Sequence, residues 1–243
     1  MMVKRVWSML STLMFVVLVV TVSVSTICST GCSTETGSTH DANDAFFVAF
    51  VSEDHQEAYL LSDPIPDIAF SEVKVEHDTT VYTISRKELG LGGIYFSDTL
   101  SLSIGLQYTM ITNSPLGGCE GTFVIPDTAN ITQPADDDTV SLGSDVLVSW
   151  NKSDNASFYF LHYSFVGFDS TGMWLDYISG DTFTVDTSFA IPATFFNVDG
   201  AAYYEGLISL YPYHGSVPEA GATCNMQGSI KGFLYAEGEG DYV

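Results

Sequence analysis

Apolar positions recur every second residue through the middle of the chain. Over 145–150, Val146, Val148 and Trp150 share one face while Leu147 and Ser149 take the other, the period of a half-buried strand. A polar turn over 151–156 follows. The chain then resumes with Tyr159, Leu161 and Tyr163 alternating against Phe158, Phe160 and His162, which predicts a second strand with an antiparallel partner close at hand. Further strands are predicted near 173–178, 181–186, 189–191, 202–210 and 229–235. Upstream, over 45–125, the same alternation comes in short pieces: FFVAFVS, EAYLL, IAFSEVKV, TVYTIS, GIYFS, QYTMIT and TFVI, enough for a small sandwich of their own. A helical period is found nowhere after the N-terminal segment.

Three stretches resemble known families. The Pro-led strand at Gln133 and Pro134, the Val-x-Val-x-Trp strand, the turn with Ala156 and the Tyr-x-Leu-x-Tyr strand together resemble the fibronectin type III and related immunoglobulin-like families, over residues 129–236. Leu102-x-x-Gly105-x-x-Tyr108 resembles the corner of immunoglobulin-like domains in which a tyrosine hydroxyl bonds back to the preceding turn, and Gly200-x-x-Tyr203 echoes it. The IPDIAF turn with Gly-Gly-Ile-Tyr is similar to the carboxypeptidase-regulatory and transthyretin-like sandwiches. The fold class so implied is all-β: two tandem immunoglobulin-like or fibronectin type III-like sandwiches after an N-terminal signal segment. The expected domains are a signal peptide at 1–31, a tether at 32–44, a small β-sandwich at 45–126, the fibronectin type III-like sandwich at 129–236 and an acidic tail, expected to fray, at 237–243.

Composition sharpens this. Apolar residues at 46%, with 16 Phe and 13 Tyr, exclude a disordered chain. All 30 acidic residues follow Cys32, while the only cations beyond it are Lys74, Arg86, Lys87, Lys152 and Lys231. Nucleic acid is thereby excluded as a partner, because neutralising phosphates needs Lys and Arg. At the N-terminus, Lys4 and Arg5 precede an apolar run from Met9 to Val24, the layout of a secretory signal. Ser29-Thr30-Gly31-Cys32 resembles the lipobox of bacterial lipoproteins, which implies lipidation of Cys32 and an exported, membrane-anchored protein of the outer membrane or cell surface. Cleavage near Ser25 without lipid, and an uncleaved anchor, are the alternatives. Residues 33–44 carry no large apolar side chain and would span about 19 Å as a flexible coil.

Chemistry is harder to find. The sequence has no Gly-x-Ser-x-Gly elbow, no His-Glu-x-x-His and no phosphate-binding glycine loop, so no catalytic residue and no cofactor are expected. Asp136, Asp137 and Asp138 form an acidic turn that lacks the alternating spacing of a calcium loop, and a solvated turn is the expected reading. His40, Asp41 and Asp44 are read in the same way. Cys119 and Cys224 either bridge the two domains or remain apart. With Tyr159, Leu161 and Tyr163 facing the core, the outward residues Phe158, Phe160, His162 and Trp174, joined by a loop tip at Tyr211 and Tyr213, make the expected binding surface. The alternative is that other parts of the chain cover them. The function expected is that of a non-catalytic, membrane-tethered surface protein that binds, adheres or spaces, with a protein or glycan at the cell surface as partner. A glycan-binding or glycan-processing surface protein, a hydrolase included, is the alternative.

Overall fold

A computed structural model describes residues 46–52, 57–63, 72–84, 95–97, 100–114, 117–139, 143–217, 224–228 and 231–243, with only the backbone at 46–63, 95–97, 114 and 231. The signal segment, Cys32, the tether, and Arg86 and Lys87 lie outside the described residues. The protein is all-β, and the sole helical turn among the described residues is the 3-10 turn Ala193–Phe195.

The alternating pieces of the first half form β1 (Phe46–Ser52), β2 (Glu57–Asp63), β3 (Glu72–His77), β4 (Thr80–Thr83), β5 (Tyr95–Ser97), β6 (Gln107–Ser114) and β7 (Gly117–Val124). The second half supplies β8 (Ile131–Gln133), β9 (Val146–Trp150), β10 (Phe158–Phe168), β11 (Trp174–Thr184), β12 (Ser188–Ile191) and β13 (Tyr203–His214). Three further strands end the chain: β14 (Gln227–Gly228), β15 (Lys231–Glu237) and β16 (Asp241–Tyr242).

These strands form three sheets. β12-β9-β8 and β14-β7-β6-β3-β4 are the small ones, and β11-β10-β13-β15-β1-β2-β5, with β16 beside β13, runs through both halves. One core lies where Val146, Val148 and Trp150 meet Tyr159, Leu161, Ile208 and Leu210 of the long sheet. In that sandwich the first, second and fifth strands face the third, fourth and sixth, a Greek-key arrangement of the immunoglobulin-like kind. A second core sets Val73, Val75, Met110 and Phe123 of the five-stranded sheet against Leu234 and Ala236 of β15.

The domain limits differ from the sequence expectation at the C-terminus. β15 pairs with β1 in parallel, Phe46 opposite Lys231 through Ser52 opposite Glu237, and β14 pairs with β7. Residues 227–237 therefore belong as much to the first sandwich as to the second. The tail is also knitted in: β16 pairs with β13, the Asp241 carboxylate accepts the Ile131 N–H at 2.7 Å, and Glu239 accepts from Thr128. β11 is one strand where two had been expected, because Gly180 is a packing residue rather than a break. A Cβ there would lie 2.6 Å from the Tyr163 ring.

The tyrosine corner is present: Tyr108 Oη accepts the Ser103 N–H at 2.8 Å after Gly105, whose φ of 75° suits glycine. Its echo falls one residue later than expected, with Tyr204 Oη accepting from Val198 N at 2.9 Å beyond Gly200. A third copy has Tyr159 Oη accepting from Ser153 N, also at 2.9 Å.

The phase of β10 is as read, with Tyr159, Leu161 and Tyr163 in the core, yet Phe158 and Phe160 on the opposite face are 0% and 1% exposed. Phe160→Ala should therefore cost about 3–5 kcal/mol, as much as Leu161→Ala or more. Equilibrium unfolding of the two variants checks this, and a near-native Phe160→Ala protein would contradict the burial.

Candidate functional site

The surface expected from sequence is largely interior. Phe158 stacks on Tyr213 with ring centroids 5.4 Å apart and meets Tyr235 and Phe183 edge-on, while Phe160 lies 5.3 Å from Phe183. Tyr211 and Tyr213 sit within β13, not on a loop tip, opposite Phe160 and Phe158. The physical reason is that alternation orders one face of a strand against the other without saying whether the second face is covered; here Phe158, Phe160, Tyr211 and Tyr213 are all buried, in an aromatic layer that reaches Tyr235 of β15.

His162 is buried as well. Its Nδ1 lies 2.5 Å from Asp181 Oδ1 across the β10–β11 ladder, and Ser209 stands opposite it on β13. Asp181, His162 and Ser209 thus occupy one cross-strand row. The His162–Asp181 pair ties β10 to β11 across the ladder.

Deeper in the same face Glu237, 1% exposed, accepts a hydrogen bond from the Tyr213 hydroxyl. Burial, and then the adjacent Glu237 carboxylate, push the Tyr213 hydroxyl well above the usual tyrosine range. Burial alone raises Tyr235, and burial with the nearby Asp181 raises Tyr163.

Only Trp174 of the six expected surface residues is exposed, and it marks where the aromatic layer opens to solvent. Toward that end of the long sheet the register sets Trp174 opposite Phe168 and Phe168 opposite Tyr203, with Tyr177, Val166 and Glu205 in the next row. Phe168 and Tyr203 stack at 5.1 Å. Trp174 is 59% exposed, Met173 60%, Tyr177 44% and Tyr203 40%. Sequence reasoning missed Met173, Tyr177 and Tyr203, although β11 alone among the long strands mixes aromatics with Asp and Ser throughout, the mark of a face that stays wet. The β10–β11 turn is rigid: Asp169 Oδ1 accepts from Thr171 N, Thr171 Oγ1 and Met173 N, and these bonds, led by the Thr171 hydroxyl, hold its carboxyl below the usual range.

Beside these residues an open cavity of about 540 Å³ is lined by Asp136, Asp137, Asp138, Tyr203, Tyr204 and Glu205, among others. The three aspartates do not converge. Asp138 turns back to accept the Ala135 N–H at 2.8 Å and Asp137 holds φ at 66°, and no cluster of three metal-binding side chains forms among the described residues. The cysteines do not pair with each other. Cys119 is a free, buried thiol in the first core, 3.3 Å from Thr112 Oγ1 and raised by burial, so it is not bridged to Cys224.

No protein-family model matches the chain, and no curated protein matches it. Among solved structures it is similar to a cytokine receptor complex, at 11% identity and TM-score 0.27, covering 70% of this chain and 91% of that one. It is also similar to the BSP domain of a biofilm associated protein, at 14% identity and TM-score 0.22, covering 82% of this chain and 29% of that one. The N-terminal four immunoglobulin domains of Dscam1 match at 10% identity and TM-score 0.19, with 83% and 48% covered.

The buried tyrosines make a pH prediction. Their hydroxyls stay protonated in the folded chain at a pH where the unfolded chain, with tyrosines near pKa 10, has already lost those protons. The stability they carry is complete below about pH 10 and is lost above it, each contributing a slope of about 1.4 kcal/mol per pH unit. Denaturant unfolding between pH 8 and 11 should show the fall, and Tyr235→Phe should make it shallower.

Proposed function

We propose that the protein is a non-catalytic surface protein that binds or adheres through the open end of its second sandwich while its N-terminus is held at a membrane. The observation that carries this reading is the cluster of Met173, Trp174, Tyr177 and Tyr203, large side chains left in water beside a rigid turn and an acidic cavity. Single exposed apolar residues are ordinary, but a contiguous group of aromatics on a fixed sheet end is a recognition surface. Such rings bury much area at little entropic cost, and Glu205 among them supplies a hydrogen-bond acceptor. Membrane attachment rests on Cys32 and its preceding Ser-Thr-Gly.

Replacing Trp174 and Tyr203 together by Ala should leave the melting temperature within about 2 °C, as expected of exposed positions, and abolish adhesion of cells displaying the protein to protein- or glycan-coated surfaces. Unchanged adhesion would place the binding surface elsewhere. Cys32→Ser should move the protein from the detergent-rich to the aqueous phase and end fatty-acid labelling. An unlabelled wild type would refute lipid attachment.

A further inference from the structure

We propose that the outer edge of β11 receives an extended, cationic segment of a partner protein as an added strand. Among the described residues β11 is the last strand of the long sheet. From Asp176 to Thr184 it follows β10 without interruption, and its one irregularity lies before Asp176. The Tyr177 N–H is taken by the Asp176 carboxylate at 2.8 Å, so it faces away from β10, and the two-residue period turns the N–H groups of Ser179 and Asp181 the same way. Edges of this length are ordinarily blunted by lysine or proline, and β11 has neither.

The space beside the edge is also open. A shallow depression of about 490 Å³, lined by Ile178, Ser179, Pro192, Thr194, Phe195 and Asn197, separates β11 from the turn after β12. An added strand would hang alternate side chains into it, against Phe195, and the others beside Tyr177. Charge selects the occupant. Asp169, Asp176, Asp181 and Asp186 lie on β11 or at its ends, and β10 to β13 carry no lysine or arginine. A second copy would set these carboxylates against their own kind, whereas a strand bearing Lys or Arg meets them favourably.

This assignment rests on the reading of the second sandwich as the binding end, and the test separates the two. The full chain, purified in detergent, is titrated with a labelled seven-residue peptide alternating lysine and valine, and with one alternating glutamate and valine. Saturable binding of the lysine peptide alone, with slowed amide exchange over 176–182, is expected. Asp176→Lys with Asp186→Lys should weaken it by about tenfold, the effect of reversing two exposed charges. Ser179→Pro should abolish it while the melting curve stays cooperative, and the exchange data on the unaltered chain stand if that variant fails to fold. Equal binding of both peptides, binding without protection of β11, or a dimer that Ser179→Pro dissolves would each overturn the proposal. If Trp174→Ala with Tyr203→Ala abolishes adhesion while lysine-peptide protection of β11 is absent, the binding end stands and the strand addition falls.

Discussion

A strand that is apolar on both faces must be covered on both, and β10 imposes that condition on the whole molecule. From Phe158 to Ser164 every side chain is buried, alternate ones on opposite faces. The small sheet β12-β9-β8 covers one face with Val146, Val148 and Trp150. On the other, Phe158 and Phe160 are buried in an aromatic layer with Tyr213, Phe233 and Tyr235, and the sheet itself continues through β13 to β15 and onward to β1, β2 and β5. Two sandwiches that share a continuous sheet are the outcome. The halves are joined through this sheet by the parallel β15–β1 ladder, which separating them would break.

Within that frame the tyrosine-to-turn bond is the local device that fixes where strands begin. It occurs at Tyr108, Tyr159 and Tyr204, each following a left-handed residue, Gly105, Asn155 or Gly200. The hydroxyl satisfies a turn N–H that would otherwise be unpaired, and the ring packs against the adjoining core, so one side chain fixes both a turn and a register. The corners after Gly105 and Gly200 are legible in sequence because a glycine suited to positive φ is followed three or four residues later by tyrosine, whereas the Asn155–Tyr159 corner is seen only in the structure. The second was misplaced by one residue because Tyr203 and Tyr204 are adjacent and only packing distinguishes them: Tyr204 meets Phe196, and Tyr203 stacks outward on Phe168.

What the alternation conveyed was phase, and what it could not convey was cover. Val146, Val148, Trp150, Tyr159 and Leu161 were assigned to the core correctly, because period two orders one face against the other. Whether the second face meets water depends on parts of the chain distant in sequence, which local alternation does not report. A local signal did exist, since Phe158 to Leu161 is an unbroken apolar and aromatic run and no Asp, Glu, Lys or Arg occurs as far as Phe165, closer to the pattern of a strand buried on both sides than to a wet one. The Cys119 and Cys224 question has the same character. Cys119 points into the core between the five-stranded sheet and β15, a direction that follows from which sheet β7 joins and not from spacing along the chain.

Charge then decides how an exposed end can persist in water. The strands that close the second sandwich carry aspartate and glutamate but no lysine or arginine, so β11 is guarded against its own copies by repulsion in place of the usual edge lysine. That guard is selective in a way that proline or a terminal bulge is not, because it excludes like-charged chains and leaves the backbone groups accessible to a cationic one. The exposed rings of Trp174, Tyr177 and Tyr203 extend the same selectivity, since their faces favour contact with cationic groups as well as apolar ones. An acidic edge beside exposed aromatics, read as the proposed docking surface, thus disfavours a second copy of the chain and favours a partner of the opposite charge.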